Sequence, residues 1–351
     1  MIAATVACGA NTAAAVAVNV PTDDFTVNLG LLLQVGHYYR FAPPEYESRS
    51  ASEFGVGETE LRFYGAVYSR VRYDLRFYRF YHVREATVGV ELPIGFSART
   101  GLLFVPFGRE ATTYEGDLPT ARRTASSTLI APGRNYGLRF DYARESEGWP
   151  YAFGGAAGVY NGEEPLVDAV GRLYGTPIPG VRALTLGGSF YYGKEERLIY
   201  RPDIRDEEYH YFAAPRLGVD LSYHVWRFDV SAEYMQYYID PYLIDIVRRP
   251  GQREYEGVYV SDYYRGYFGI VTYAHPLPWR YLQSWQPYAR YERYKRPIIR
   301  RGYVPEDRYT AGFALQFVGR TLMLRADYTR VLEEENRVTN DFIYSHFQLM
   351  F

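Results

Sequence analysis

The segment FTVNLGLLLQVGHYYR, Phe25–Arg40, decides the fold. Its odd positions Val27, Leu29, Leu31, Leu33 and Val35 are apolar, whereas the even ones include Asn28, Gly30 and Gln34. Successive side chains of a strand point to opposite faces, so a period of two means a strand between an oily and a wet surface. The same alternation returns at Leu217, Val219, Leu221 and Tyr223 against Arg216, Gly218, Asp220 and Ser222. It returns again at Tyr309, Ala311, Phe313, Leu315 and Phe317 against Thr310, Gly312, Ala314 and Gln316, and over Thr321 to Arg330. Helical spacing is hardly seen.

A soluble sandwich would alternate too, so the connections decide between the two. Short breaks fall near Ser69-Arg70, Pro93-Ile94-Gly95, Glu147-Gly148-Trp149, Pro177 to Gly180, His224-Val225, Pro276-Leu277-Pro278 and Val318-Gly319. Between them lie the longer or more polar stretches Ala42 to Gly57, Pro106 to Arg134, Gly162 to Val167, Lys194 to Glu207, Ile239 to Glu256, Lys295 to Asp307 and Leu332 to Asn340, with one short connection near Tyr81-His82. Short turns at one end and long loops at the other are the rhythm of a transmembrane antiparallel barrel. The count predicts an all-β barrel of about 16 strands.

Composition agrees. The chain holds 38 Tyr and is 18% aromatic, and Tyr, with its apolar body and polar tip, suits both interface girdles and a wet lumen wall. The formal charge of -2 lacks the basic excess of a nucleic-acid binder, so no nucleic-acid partner is expected. No apolar run reaches the roughly 18 to 20 residues of a transmembrane helix. Residues 1–17 end in Ala15-Val16-Ala17 and read as the latter part of a secretory signal, or else as a disordered N-terminus. They contain the single cysteine, Cys8, so the remaining domain, residues 18–351, is expected to have no disulfide and no Cys-ligated metal.

A barrel of eight strands fills with side chains, whereas sixteen leave an aqueous channel. The longest connection, about 106–134, follows the fifth strand and carries Arg109, Glu110, Glu115, Asp117, Arg122, Arg123 and Arg134. It is expected to fold inward as the constriction, with Arg109, Glu110, Arg122, Arg123 and Arg134 meeting solute. Adjacent arginines offer several donors to an anion, which singles out Arg122 and Arg123. On the strands, the polar parity predicts Arg62, Arg76, Arg99, Arg139, Arg216, Arg227, Arg290 and Arg325 as lumen wall. They are nearly balanced by Glu60, Asp74, Glu85, Glu91, Asp141, Asp220, Asp229, Glu233, Glu292 and Asp327. Such charges either segregate to opposite walls or form networks that stiffen the wall.

The stretch Arg99-Thr100-Gly101-Leu102-Leu103-Phe104-Val105-Pro106-Phe107-Gly108 is followed by Ala131-Pro132-Gly133-Arg134-Asn135-Tyr136-Gly137, Val159-Tyr160-Asn161-Gly162 and Pro305 to Gly312. In this order the pieces resemble the phosphate-selective porins O and P. The resemblance implies a homotrimer of sixteen-stranded barrels with an inward third loop in a Gram-negative outer membrane, passing small hydrophilic solutes, anions such as phosphate among them. Leu102 and Phe104 stand where the family often has Gln and Lys, which weakens phosphate as the solute. The closing alternation Ile343, Phe347, Leu349 and Phe351 looks like the signal read by the barrel-assembly machinery. No cofactor and no metal are expected. The six histidines are scattered without paired ligand spacing, so an enzyme is disfavoured. A receptor barrel or a conduit for a threaded partner is the other alternative, and it calls for a wide lumen with no loop inside.

Overall fold

The computed structural model describes residues 4–6, 16–18, 25–41, 51–144, 152–162, 167–178, 183–201, 206–238, 244–247, 256–259, 263–298, 302–318, 321–333 and 341–351. The turn expected at Glu147-Gly148-Trp149, most of residues 1–17 and most of the external breaks expected at Gly162 to Val167, Ile239 to Glu256 and Leu332 to Asn340 lie outside these residues.

Sixteen antiparallel strands close into a barrel. They are β1 (Phe25–Arg40), β2 (Ala51–Val67), β3 (Val71–Tyr78), β4 (His82–Glu91), β5 (Phe96–Phe104), β6 (Arg134–Arg144), β7 (Phe153–Asn161) and β8 (Val167–Gly175). The second half holds β9 (Leu184–Tyr192), β10 (Arg216–Val225), β11 (Phe228–Tyr238), β12 (Tyr263–Tyr273), β13 (Leu282–Ile298), β14 (Gly302–Phe317), β15 (Leu322–Glu333) and β16 (Phe342–Met350). Each pairs with the next, and β16 returns to β1 from Phe342↔Arg40 to Met350↔Leu32. One residue further, Leu31 and Phe351 exchange two main-chain hydrogen bonds of 2.7 and 3.0 Å. Short strands Ala4–Val6 and Val16–Val18 continue the sheet beside the start of β1.

The faces are sorted inside out relative to a soluble protein. Val88, Leu138, Phe140, Val159, Leu173, Val219 and Phe347 point outward and are exposed, while Glu60, Thr87, Asp220, Glu292, Arg325 and Gln348 point inward and are buried. Continuous apolar exposure of this extent is tolerated only against lipid. The alternation of the sequence is therefore the membrane boundary.

Three expectations about connections are corrected. Of Ala42 to Gly57, residues 42–50 lie outside the described residues and residues 51–57 belong to β2, paired with β1 instead of forming a loop. Lys194 to Glu207 and Lys295 to Asp307 are not open loops: Lys194–Arg201 pairs with Asp206–Ala213, and β13 and β14 pair out to Ile298↔Gly302. Charged residues on both faces of a strand beyond the membrane look like a loop in sequence, because water on both sides removes the alternation.

Candidate functional site: the inward third loop

Residues 105–133 leave β5, enter the lumen and return to β6, as the length of the connection predicted. The entry is built by apolar residues in an otherwise polar interior. Leu103, Val105, Phe107 and Ile130 pack into a cluster with Tyr160, Val170, Tyr191, Met235, Tyr237, Phe268 and Ile270, and Phe107 is fully buried. Gly108 follows with φ +74°, and a Cβ there would come within 2.6 Å of the Glu233 carboxylate. Glycine is the residue that permits both the left-handed backbone and the close approach.

Beyond that turn, the loop carries two short helices, α1 (Arg109–Thr112) and α2 (Ala125–Ile130). Helices this short cannot satisfy their own end groups, and the barrel wall does so instead. The Glu233 carboxylate accepts the N–H groups of Arg109 and Glu110 at 2.8 and 3.0 Å. Glu292 accepts the Ser126 N–H at 2.8 Å, and Arg216 donates to the Ile130 carbonyl at 2.7 Å. Helix α2 thus has a carboxylate at its N-terminal end and a guanidinium at its C-terminal end, the signs its dipole favours. Thr124 also caps α2 with its own hydroxyl, while Glu110 turns back to accept from the Thr124 N–H and hydroxyl.

The apex of the loop, a tight turn at Glu115–Asp117, reaches the place where the barrel closes. Arg325 and Gln348 both donate to the Gly116 carbonyl, at 3.0 and 3.1 Å, and Gln34 donates to Gln348 at 2.9 Å. A Cβ on Gly116 would meet the Met350 sulfur at 2.5 Å. On the opposite side of the apex, Glu115 pairs with Arg84 at 2.8 Å and Arg123 at 3.0 Å. Burial pushes the Glu115 carboxyl up, but Arg123, Arg84 and Arg134 outweigh it and hold the group below its usual range. Burial, and then the Glu60 carboxylate, push the Tyr114 phenol well above its usual value, so it stays protonated.

These contacts divide the predicted site residues by task. Arg216, Arg290 and Arg325 are inward and direct donors to loop carbonyls: Arg290 donates to the Arg122 carbonyl at 2.7 Å. Arg123 donates to the Glu110 and Thr113 carbonyls and stiffens the loop from within. Glu110 is buried among loop groups, and Arg134, the first residue of β6, lies over the Phe104 ring with Glu85 at 3.8 Å. Of the five residues expected at the constriction, Arg109 and Arg122 remain exposed.

The remaining wall arginines pair with acids on the same or adjacent strands. Arg62 and Arg76 share Asp74, and Arg99 and Arg139 share Asp141, while Arg172 reaches past β9 to meet Asp220 of β10 at 2.7 Å. Opposite charges therefore sit side by side along the wall, the network alternative of the two weighed from sequence. Arg227 is corrected: it lies in the two-residue turn Trp226-Arg227, with its guanidinium over the Trp226 ring, and is not lumen wall. His346 is buried in the inward face of β16.

Alternation missed Arg84, Glu58, Arg172 and Arg308, which also face inward. The first two sit where the pairing slips, between Arg76/Phe77 and between Leu33/Val35, so strict counting loses parity there. Towards the end with the short turns, two cavities remain. One of about 480 Å³ is lined by Arg109, Thr185, Ser222, Ser231, Gln286 and Gln316 among others; one of about 420 Å³ is lined by Asn28, Arg62, Asp74, Glu91, Ser97 and Arg99 among others. The first mixes hydroxyl and amide groups with Glu110, Asp117, Asp229, Glu233 and Arg325, and the second holds the charges of Arg62, Arg72, Asp74, Glu91 and Arg99.

No protein-family model and no curated protein matches the chain, so the resemblance to the O and P porins gains no support from either. Solved structures do match. OmpT of Vibrio cholerae, an outer membrane protein, in a form lacking loop L8, superposes with TM-score 0.61 at 12% identity, covering 94% of this chain and 100% of that one. In-vitro folded OmpT gives 0.60 at 13%, over 95% and 99%. OmpF of Salmonella typhi, in complex with daunomycin, gives 0.56 at 14%, over 94% and 98%. At such identity the likeness concerns architecture, and the architecture is that of an outer-membrane barrel of the porin type.

Proposed function

We propose that the chain is a porin of the Gram-negative outer membrane, a passive channel for small hydrophilic solutes without bond-making chemistry. The observation that carries this reading is the third loop, clamped across the lumen by Glu233, Glu292, Arg290 and Arg325. An open tube of sixteen strands would admit solutes indiscriminately, and a rigid inward loop turns it into a sieve. The same loop weighs against a conduit for a threaded partner, which needs the lumen clear. Anion preference is the finer reading. It is supported by Arg122, an exposed loop arginine with no ion pair among the described residues, since charge at a narrow point sets the local potential. We also propose a homotrimer, a state recorded for one OmpT structure that is 11% identical to this chain.

Reconstitution in planar bilayers tests both levels. Stepwise conductance is expected, with a reversal potential of the anion-selective sign in a KCl gradient. Absence of steps would end the channel reading, and a cation-selective potential would end the preference.

A further inference from the structure

Arg122 differs from its neighbours in the lumen. Arg62, Arg76, Arg99, Arg139 and Arg172 each have a carboxylate within ion-pair distance. Arg122 makes no ion pair among the described residues and is exposed. Its guanidinium lies 5.3 Å from the ring centroid of Tyr344, 5.8 Å from Phe342 and 5.9 Å from Tyr38. All three rings point inward from the outer ends of the first and last strands and are only partly buried.

At these separations the rings attract the cation yet do not cover it, since face-to-face contact needs about 3.5 to 4 Å. The N–H edges of the guanidinium and the faces of the rings are left to the lumen water. The group is also held in place, because the Arg122 carbonyl is bound by Arg290 and the next residue, Arg123, is tied into the loop. Two acids beside the site are engaged elsewhere: Asp327 with the Tyr288 hydroxyl at 2.9 Å and Glu58 with Arg84.

We infer that Arg122, Tyr38, Phe342 and Tyr344 form a capture site for planar aryl carboxylates on the outer side of the loop. The carboxylate accepts two parallel N–H groups of the guanidinium, the geometry that suits it. The aromatic ring of the solute lies against Tyr344 or Phe342, replacing water on their faces. A compact anion such as phosphate or acetate reaches the guanidinium but leaves the rings unused. This inference rests on the channel reading above for its physiological meaning and on its own geometry for binding.

The test uses three sodium salts added to the external side of the reconstituted channel: benzoate, cyclohexanecarboxylate and acetate. Benzoate is expected to halve the KCl current at a concentration about fivefold lower than either of the others, the size of one aromatic pair. Arg122→Gln should abolish the block by benzoate, and Phe342→Leu with Tyr344→Leu should erase its advantage over cyclohexanecarboxylate. Equal block by all three salts, or benzoate block surviving in Arg122→Gln, would overturn the site. Saturation-transfer NMR of benzoate with the folded protein in detergent gives a reading independent of conductance. Transfer lost in Arg122→Gln supports the site even if no current steps are seen, which would sink the channel reading alone; no transfer to the unsubstituted protein would overturn the site.

Discussion

Glu292 and Ser126 stand 166 positions apart in the chain, and the carboxylate of the first accepts the main-chain N–H of the second at 2.8 Å. Together with Glu233 at α1, this makes the wall of the barrel the cap of the helices it encloses. Removing such an acceptor leaves buried donors unsatisfied, at about 1 to 3 kcal/mol each. Glu233→Ala frees two donors at once, so the loop should loosen while the barrel persists. We expect trypsin to cut after Arg122 or Arg123 in Glu233→Ala under conditions where the unsubstituted protein resists, with unchanged strand content by circular dichroism. Equal resistance would show that the carboxylate is not what holds α1.

The Arg84, Glu115 and Arg123 cluster predicts a pH dependence. Glu115 has its folded value below the ordinary 4.5, so the stabilisation it contributes is fully present above the ordinary range and is lost as pH falls through the depressed value. The difference in current noise between the unsubstituted protein and Glu115→Gln should stay constant from neutral pH down to the ordinary carboxylate range and close only on further acidification. Glu115→Gln should show the acid behaviour at pH 7. A difference that closes already near pH 6 would point to a different group.

Phe107 is the apolar anchor of the loop, fully buried in a cluster of loop and wall residues. Truncating such a side chain costs about 3 to 5 kcal/mol. Phe107→Ala is expected to keep the barrel, whose sheet does not involve Phe107, and to raise single-channel conductance variance. A quiet channel of unchanged conductance would mean that the polar clamps alone position the loop.

Phe351 closes the seam through its two main-chain bonds with Leu31. Deleting it removes both bonds and the closing apolar residue of the expected assembly signal, Phe347, Leu349 and Phe351. We expect less heat-modifiable folded protein in the outer membrane, at unchanged total synthesis. Normal levels of folded barrel would separate this residue from assembly.

The barrel was legible because membrane strands repeat one simple constraint. Val27, Leu29 and Leu31 must meet lipid and Asn28 and Gly30 must not, and that survives without any knowledge of partners. The inward loop was legible from its length and charge. The tasks of its residues were not. Arg123 and Arg122 are adjacent and chemically identical, yet one is consumed by loop carbonyls and the other is open, a difference set by three-dimensional neighbours. Helices α1 and α2 escaped as well, since segments so short are below the length that forms in isolation and exist through wall residues more than 80 positions away. Arg84 and Glu58 were hidden by irregular pairing, which changes parity without leaving a mark in composition.

The seat of the loop apex has a consequence for how the molecule is made. Gly116 is gripped by Gln348, 232 positions later in the chain, and Gln348 is steadied by Gln34, 314 positions earlier. These side chains become neighbours only once the first strand meets the last. A nascent, still-open sheet offers no such seat, so the aperture acquires its final width after the ring has shut, as the concluding event of maturation.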